Sequence, residues 1–99
     1  MLKLTLRQEA IDDLNEIWNY TKTQWSENQA EIYYQTIKSS CKLIAENPII
    51  GKSYNEISKH LFGLKTGKHI IFYSILEGVE IEIIRILHER MDLINRLVE

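Results

Sequence analysis

The sequence predicts an α+β fold, β-α-α-β-β-β with a short C-terminal helix, in which a small antiparallel sheet packs on a two-helix hairpin. Three observations carry this. Leu2, Leu4 and Leu6 alternate with Lys3, Thr5 and Arg7, the period-two pattern of a strand with one buried face. From about Gln8 the apolar spacing becomes helical and stays so to Asn47-Pro48. Between Lys68 and His88, two β-branched and aromatic runs flank Glu77-Gly78, the pattern of a hairpin whose turn uses the positive φ open to glycine.

In the first helix, Ile11, Leu14, Trp18, Thr21 and Trp25 form an amphipathic stripe. Glu9, Asp12 and Asp13 lie in its opening turns, where the helix dipole favours negative charge. Ser26-Glu27-Asn28-Gln29 reads as a capping box that starts a second helix. Ala30, Tyr33/Tyr34, Ile37, Cys41 and Ile44 form its stripe, and Pro48 ends it by disfavouring helix at Asn47. Almost no linker separates the two helices, so they fold back as an antiparallel pair.

Residues 47–60 read as a connection, Leu61 to Lys65 as a short strand, and Thr66-Gly67 as a turn into the main hairpin. A two-residue loop at Glu77-Gly78 sets Leu76 opposite Val79, Phe72 opposite Ile83 and Ile70 opposite Arg85. One face then collects Ile70, Phe72, Ser74, Leu76, Val79, Ile81, Ile83 and Leu87, with Lys68 and Arg85 at one end. This face is expected to meet the helices. The other carries His69, Ile71, Tyr73, Ile75, Glu80, Glu82, Ile84, Ile86 and His88. Two helices cover one face of such a sheet, so Ile71, Ile75, Ile84 and Ile86 are expected to form an exposed patch for a partner, or to be covered by the tail. Met91, Ile94, Leu97 and Val98 suggest a short terminal helix, with Asp92 as its N-cap.

The 99 residues make a single domain, 1–99. A hydrophobic content of 44% and a charged content of 26% are ordinary for a soluble protein. The apolar runs are too short for a membrane span, and the start lacks a signal peptide's apolar stretch. Cys41 is the sole cysteine, which fits a buried, reduced thiol and a cytoplasmic location. The net charge of -2 argues against generic nucleic-acid binding. Residues 1–57 hold six Lys/Arg against eight Asp/Glu, and residues 58–99 hold six against six with all three histidines. Any cationic site is therefore local and C-terminal.

Within that half, Arg85 is either an ion-pair partner of a helix carboxylate or a functional cation. Lys68 shares its face and end. His69 and His88 project together from the other face, as a proton-transfer pair or a partner contact. Tyr73 is set opposite Glu82 as a cross-strand pair. No metal site is expected, since no third ligand has suitable spacing, and no phosphate loop, nucleophile elbow or dinucleotide fingerprint is present.

Almost the whole chain resembles the ParE branch of the RelE/ParE toxin superfamily. The resemblance is carried by Asp13-Leu14 with Ile17, by Ala45-Glu46-Asn47-Pro48 followed by Ile50-Gly51-Lys52, by His69-Ile70-Ile71-Phe72-Tyr73, and by Arg85-Ile86-Leu87-His88-Glu89-Arg90-Met91-Asp92. It implies a type II toxin without a cofactor, partnered by a cognate ParD-like antitoxin, with DNA gyrase as target and no bond chemistry of its own. It also implies neither membrane attachment nor sequence-specific nucleic-acid binding by the toxin alone. Target contact is expected from Lys68, His69, Arg85, His88 and Arg90, and antitoxin contact from Ile71, Tyr73, Ile75, Ile84 and Ile86. RelE-branch relatives instead cut messenger RNA in the ribosome. That reading would make Lys68, Arg85, His88 and Arg90 catalytic, but Glu89 stands where a tyrosine would follow His88. The non-enzymatic inhibitor is therefore favoured.

Overall fold

The computed structural model describes residues 2–97. Its elements run β1 (Lys3–Leu6), α1 (Gln8–Gln24), α2 (Glu27–Glu46), β2 (Lys52–Ser53), β3 (Phe62–Thr66), β4 (His69–Leu76), β5 (Glu80–His88) and α3 (Leu93–Leu97). The order matches the expected one, with the two-residue β2 added inside the long connection. Val98, assigned to the terminal helix on its spacing, lies outside the described residues.

The five strands are ordered β1-β5-β4-β3-β2. Four run antiparallel in succession, but β1 pairs parallel with β5, Lys3 beside Glu80 through Leu6 beside Ile83. The sheet is thus mixed where an antiparallel one was expected. The helix pair carries the chain from β1 across the sheet before β3 begins, and β5 closes beside β1. Side chains fasten this edge: Thr5 Oγ1 donates to Glu80 Oε2 at 3.0 Å and Arg7 pairs with Glu82 at 3.1 Å.

Local sequence accounts for the helix bounds. Gln29 N–H donates to Ser26 Oγ at 3.0 Å, satisfying one orphan donor at the start of α2. Asn47 caps its end before Pro48. Ala30, Ile37, Cys41 and Ile44 face the core as the spacing implied, joined by Ala45, and burial pushes the Cys41 thiol up to about 11. The α1 stripe differs. Ala10, Asp13, Leu14 and Ile17 face inward, while Ile11 and Trp25 are exposed. A buried aspartate among those positions masked the true phase of the helix.

The main hairpin departs from the expected register at two places. Glu77 and Gly78 both take positive φ, and Val79 N–H donates to Leu76 O at 3.1 Å, but pairing resumes with Leu76 opposite Glu80. Val79 is thereby left in the turn. Further along, Tyr73 pairs with Ile83 but Phe72 with Arg85, which leaves Ile84 as a bulge. Tyr73 therefore does not face Glu82.

These shifts keep Ile81 and Ile83 on the helix face as expected, but invert the faces of β4 and of the end of β5. The helices cover Ile71, Tyr73, Ile75, Ile81, Ile83 and Ile86, which pack with Ala10, Leu14, Ile17, Ile37, Cys41 and Ile44. The opposite face, with Ile70, Phe72 and Leu87, is covered by Tyr54, Ile57 and Leu61 of the long connection and by Leu93 and Leu97 of α3. The exposed patch expected from Ile71, Ile75, Ile84 and Ile86 is thus absent. Ile71, Tyr73 and Ile86 are core residues, Ile75 packs beside them, and Ile84 joins the second cluster. Two one-residue shifts are the physical cause. The turn, which sets Leu76 opposite Glu80, switches the parity of β4 and brings Ile71, Tyr73 and Ile75 to the helices, and the bulge at Ile84 switches the end of β5 and brings Ile86 there.

Candidate functional site

At one end of the sheet, β4 begins with His69 and β5 ends with His88, and the two are cross-strand partners. Their rings meet edge to face with centroids 5.3 Å apart. Helix α2 brings Tyr33 against them, its Oη 2.6 Å from His69 Nδ1. The same hydroxyl donates to Thr66 O and accepts from Lys68 N–H, both at 3.1 Å. One tyrosine thus holds the β3–β4 turn against the helix layer. Gly67 makes this approach possible, since its φ is +59° and a Cβ there would lie 2.7 Å from the Tyr33 ring.

Burial, followed by the charge on neighbouring His88, pushes the His69 imidazole down to about 4. His69 is therefore neutral at physiological pH. Burial also raises the Tyr33 hydroxyl above its ordinary value. His88 Nδ1 accepts from Arg90 N–H at 3.1 Å, which fixes the ring and, in the neutral form, leaves the proton on Nε2. Beside it, Glu89 pairs with Lys65 at 3.0 Å, and Lys65 holds its carboxyl below the usual range.

Two hollows open on either side of the histidine pair. One, of about 350 Å³, runs between Ile17 and Tyr20 of α1 and Arg90 and Met91. The other, of about 450 Å³, lies between the α1–α2 tip (Tyr20, Trp25, Gln29, Tyr33) and Lys68. His69 and His88 border both. The structure therefore gathers Lys68, His69, His88 and Arg90 around one end of the sheet. Arg85 is not gathered there.

Arg85 sits further down β5, where β1 has ended. Its Nε and Nη2 donate to Asp13 at 2.8 and 2.9 Å, and its Nη1 donates to Arg96 O at 3.3 Å. Asp13 Oδ2 also accepts the Ile86 N–H at 2.9 Å. The carboxylate thus takes over as acceptor beyond the end of the β1 ladder, and it binds the guanidinium bidentately. Of the two roles open to Arg85 from sequence, the ion pair with the helix layer is the one adopted.

Sequence reasoning missed Tyr33, Asp13, Tyr20 and Trp25 as site neighbours. An aspartate within the Ala10–Leu14–Ile17 stripe was a readable signal for a buried pair. Nothing in the adjacent Tyr33 and Tyr34 distinguishes the ring that meets the histidines from the one that stacks edge-on against Trp18. Among the described residues, no group of three His, Cys, Asp or Glu side chains is placed to hold a metal ion.

The family model described as the ParE toxin of type II toxin-antitoxin system, parDE, matches residues 4–93. The chain belongs to the ParE toxin family. It is 36% identical over 84 residues to Toxin ParE1 of Mycobacterium tuberculosis, covering 85% of this chain and 86% of that protein. It is 33% identical over 87 residues to Toxin ParE1 of Caulobacter vibrioides, covering 88% of each. A solved chain of the chromosomal ParDE TA system from P. aeruginosa superposes with a TM-score of 0.77 at 20% identity, covering 89% of this chain and 96% of that one. The fold and the family thus agree with the ParE resemblance read from the motifs. Among the described residues, no helix is long and apolar enough to cross a membrane.

Proposed function

We propose that this ParE-family toxin is neutralised by a cognate ParD-like antitoxin and that its target, once released, is DNA gyrase, which it inhibits by binding rather than by bond chemistry. The observation that carries this reading is the commitment of Arg85. Cleavage of RNA needs cations on the charged phosphorane as well as an acid and a base. Arg85, the one arginine within the strands among the described residues, is bound by Asp13, and Glu89, paired with Lys65, follows His88. The remaining Lys68, His69, His88 and Arg90 form a surface for a partner. With Ile71, Tyr73 and Ile86 buried, antitoxin contact passes to the apolar groove of about 480 Å³ bordered by Leu4, Leu6, Leu14, Tyr34 and Ile37.

One observation favours the second reading, a ribosome-dependent messenger RNA endonuclease. His69 lies beside Tyr33 and His88 at the sheet end, a clustering of imidazole and phenol groups of the kind that RNA cleavage uses. The two readings separate in parallel assays. Purified toxin is expected to inhibit gyrase supercoiling or accumulate cleaved DNA, and to leave ribosome-bound messenger RNA intact. Codon-specific cleavage of that RNA, abolished in His88→Ala, would overturn the gyrase reading.

A further inference from the structure

The hollow beside the α1–α2 tip combines features that the ion-paired Arg85 site lacks. Tyr20 and Trp25 flank it with 66% and 76% of their surfaces exposed, which places two large rings in water at the turn between helices. Its floor is rigid, because Tyr33 is fixed to Thr66 O, Lys68 N and His69 Nδ1 at once. No carboxylate borders it among the described residues, in a protein of net charge -2. Lys68 stands at its rim and the His88 imidazole at its base. Exposed aromatic anchors over a preorganised floor with a lysine at its rim are the composition of a protein-interface hot spot.

Resting on the gyrase reading above, we infer that this tip is the target-contacting surface, and that it seats an acidic segment of gyrase, with a side chain packed against Tyr20 and Trp25 and a carboxylate facing Lys68 and His88. Charge complementarity selects the occupant. The rings supply buried area and the lysine and imidazole supply donors; Glu89, whose charge reaches Lys68 and His88 from outside the hollow, is itself held by Lys65 at 3.0 Å. The apolar groove bordered by Leu4, Leu6 and Ile37 has the opposite character and suits the apolar anchors of the antitoxin.

The test compares supercoiling inhibition by the released toxin with its affinity for antitoxin. Trp25→Ala, Tyr20→Ala and Lys68→Glu are each expected to lower inhibitory potency by about tenfold or more. Antitoxin affinity should stay within about twofold of the wild type, because all three side chains are exposed and lie off the apolar groove. In a Trp18→Phe background, Trp25 emission should shift to the blue when gyrase binds, and added salt should weaken the wild type more than Lys68→Ala. Potency retained within about twofold in the three variants would overturn this surface and leave the gyrase reading standing. A parallel loss of antitoxin affinity would overturn it too, by showing a structural role. A folded, antitoxin-binding wild type that leaves gyrase untouched would overturn the gyrase reading, and this surface with it.

Discussion

At the scale of single residues, Asp13 and His69 hold opposite kinds of electrostatic interaction. Asp13 is 8% exposed and serves three donors, two on Arg85 and the Ile86 amide. Removing it takes the bidentate acceptor from a half-buried guanidinium and the acceptor of the Ile86 N–H, so Asp13→Ala should destabilise by about 3–5 kcal/mol in denaturant melts. Arg85→Ala should cost a similar amount, and any loss of toxicity in it should track the loss of fold. Equal stability of Arg85→Ala and wild type would show that the pair contributes nothing. His69 acts through pH. Its folded pKa of about 4 lies below the unfolded value of about 6.5. Between those values the unfolded chain binds more protons, so stability is fully present above about pH 6.5 and falls as pH drops towards 4. Its contribution, discounted for partial exposure, is on the order of 2 kcal/mol. His69→Gln should flatten the melting-temperature profile across that window, and an unchanged slope would contradict the burial of a neutral ring.

At the scale of elements, the main hairpin carries a local strain that can be relieved. Glu77 sits at φ 52° beside Gly78 at φ 72°, and a left-handed conformation costs an ordinary residue roughly 1–2 kcal/mol. Asparagine tolerates it and is favoured in the first position of such a turn. Glu77→Asn should therefore raise stability by about 0.5–1 kcal/mol, measured as a shifted denaturation midpoint at constant slope. The same hairpin explains what the sequence revealed and what it hid. Helix α2 was legible because its apolar stripe, Ser26 and Pro48 all mark one phase and two ends. The faces of β4 were not, because the run from Ile70 to Tyr73 is buried on both sides, and period-two alternation carries no contrast where both faces are apolar. The bulge at Ile84 added a parity switch with no glycine or proline to announce it. His69 and His88 were still placed together, since the shift at the turn and the bulge add to two residues and so cancel in parity. Tyr33 was not, since its role depends on the angle at which α2 crosses the sheet.

At the scale of the whole molecule, the sheet is sandwiched unequally. One face has two helices of 17 and 20 residues, while the other has an irregular connection and the five-residue α3. The thin side nevertheless covers Phe72 and Leu87, which are 0% and 1% exposed. Leu93 and Leu97 pack on that cluster, and Arg96 O accepts from Arg85. The tail is also held by Asp92, whose carboxylate and carbonyl accept from Asn95 and Arg96 at 3.4 and 3.1 Å. A helix this short does not persist alone, so its order comes from the leucines. Deleting residues 93–99 uncovers apolar surface on Phe72, Ile84 and Leu87 and removes two half-buried leucines. At roughly half of the 1.5–3 kcal/mol that full burial supplies to each, the cost is about 2–3 kcal/mol. For a domain of this size that lowers the melting temperature by on the order of 10 °C. The helix-side core, with Ile71, Tyr73 and Ile83, stays closed, so the truncated chain should remain folded at 25 °C and bind a hydrophobic dye more strongly. Leu93→Ala with Leu97→Ala should reproduce most of the loss with the chain length unchanged. A truncation that melts with the wild type and binds no additional dye would show that the connection from Tyr54 to Leu61 covers this face unaided.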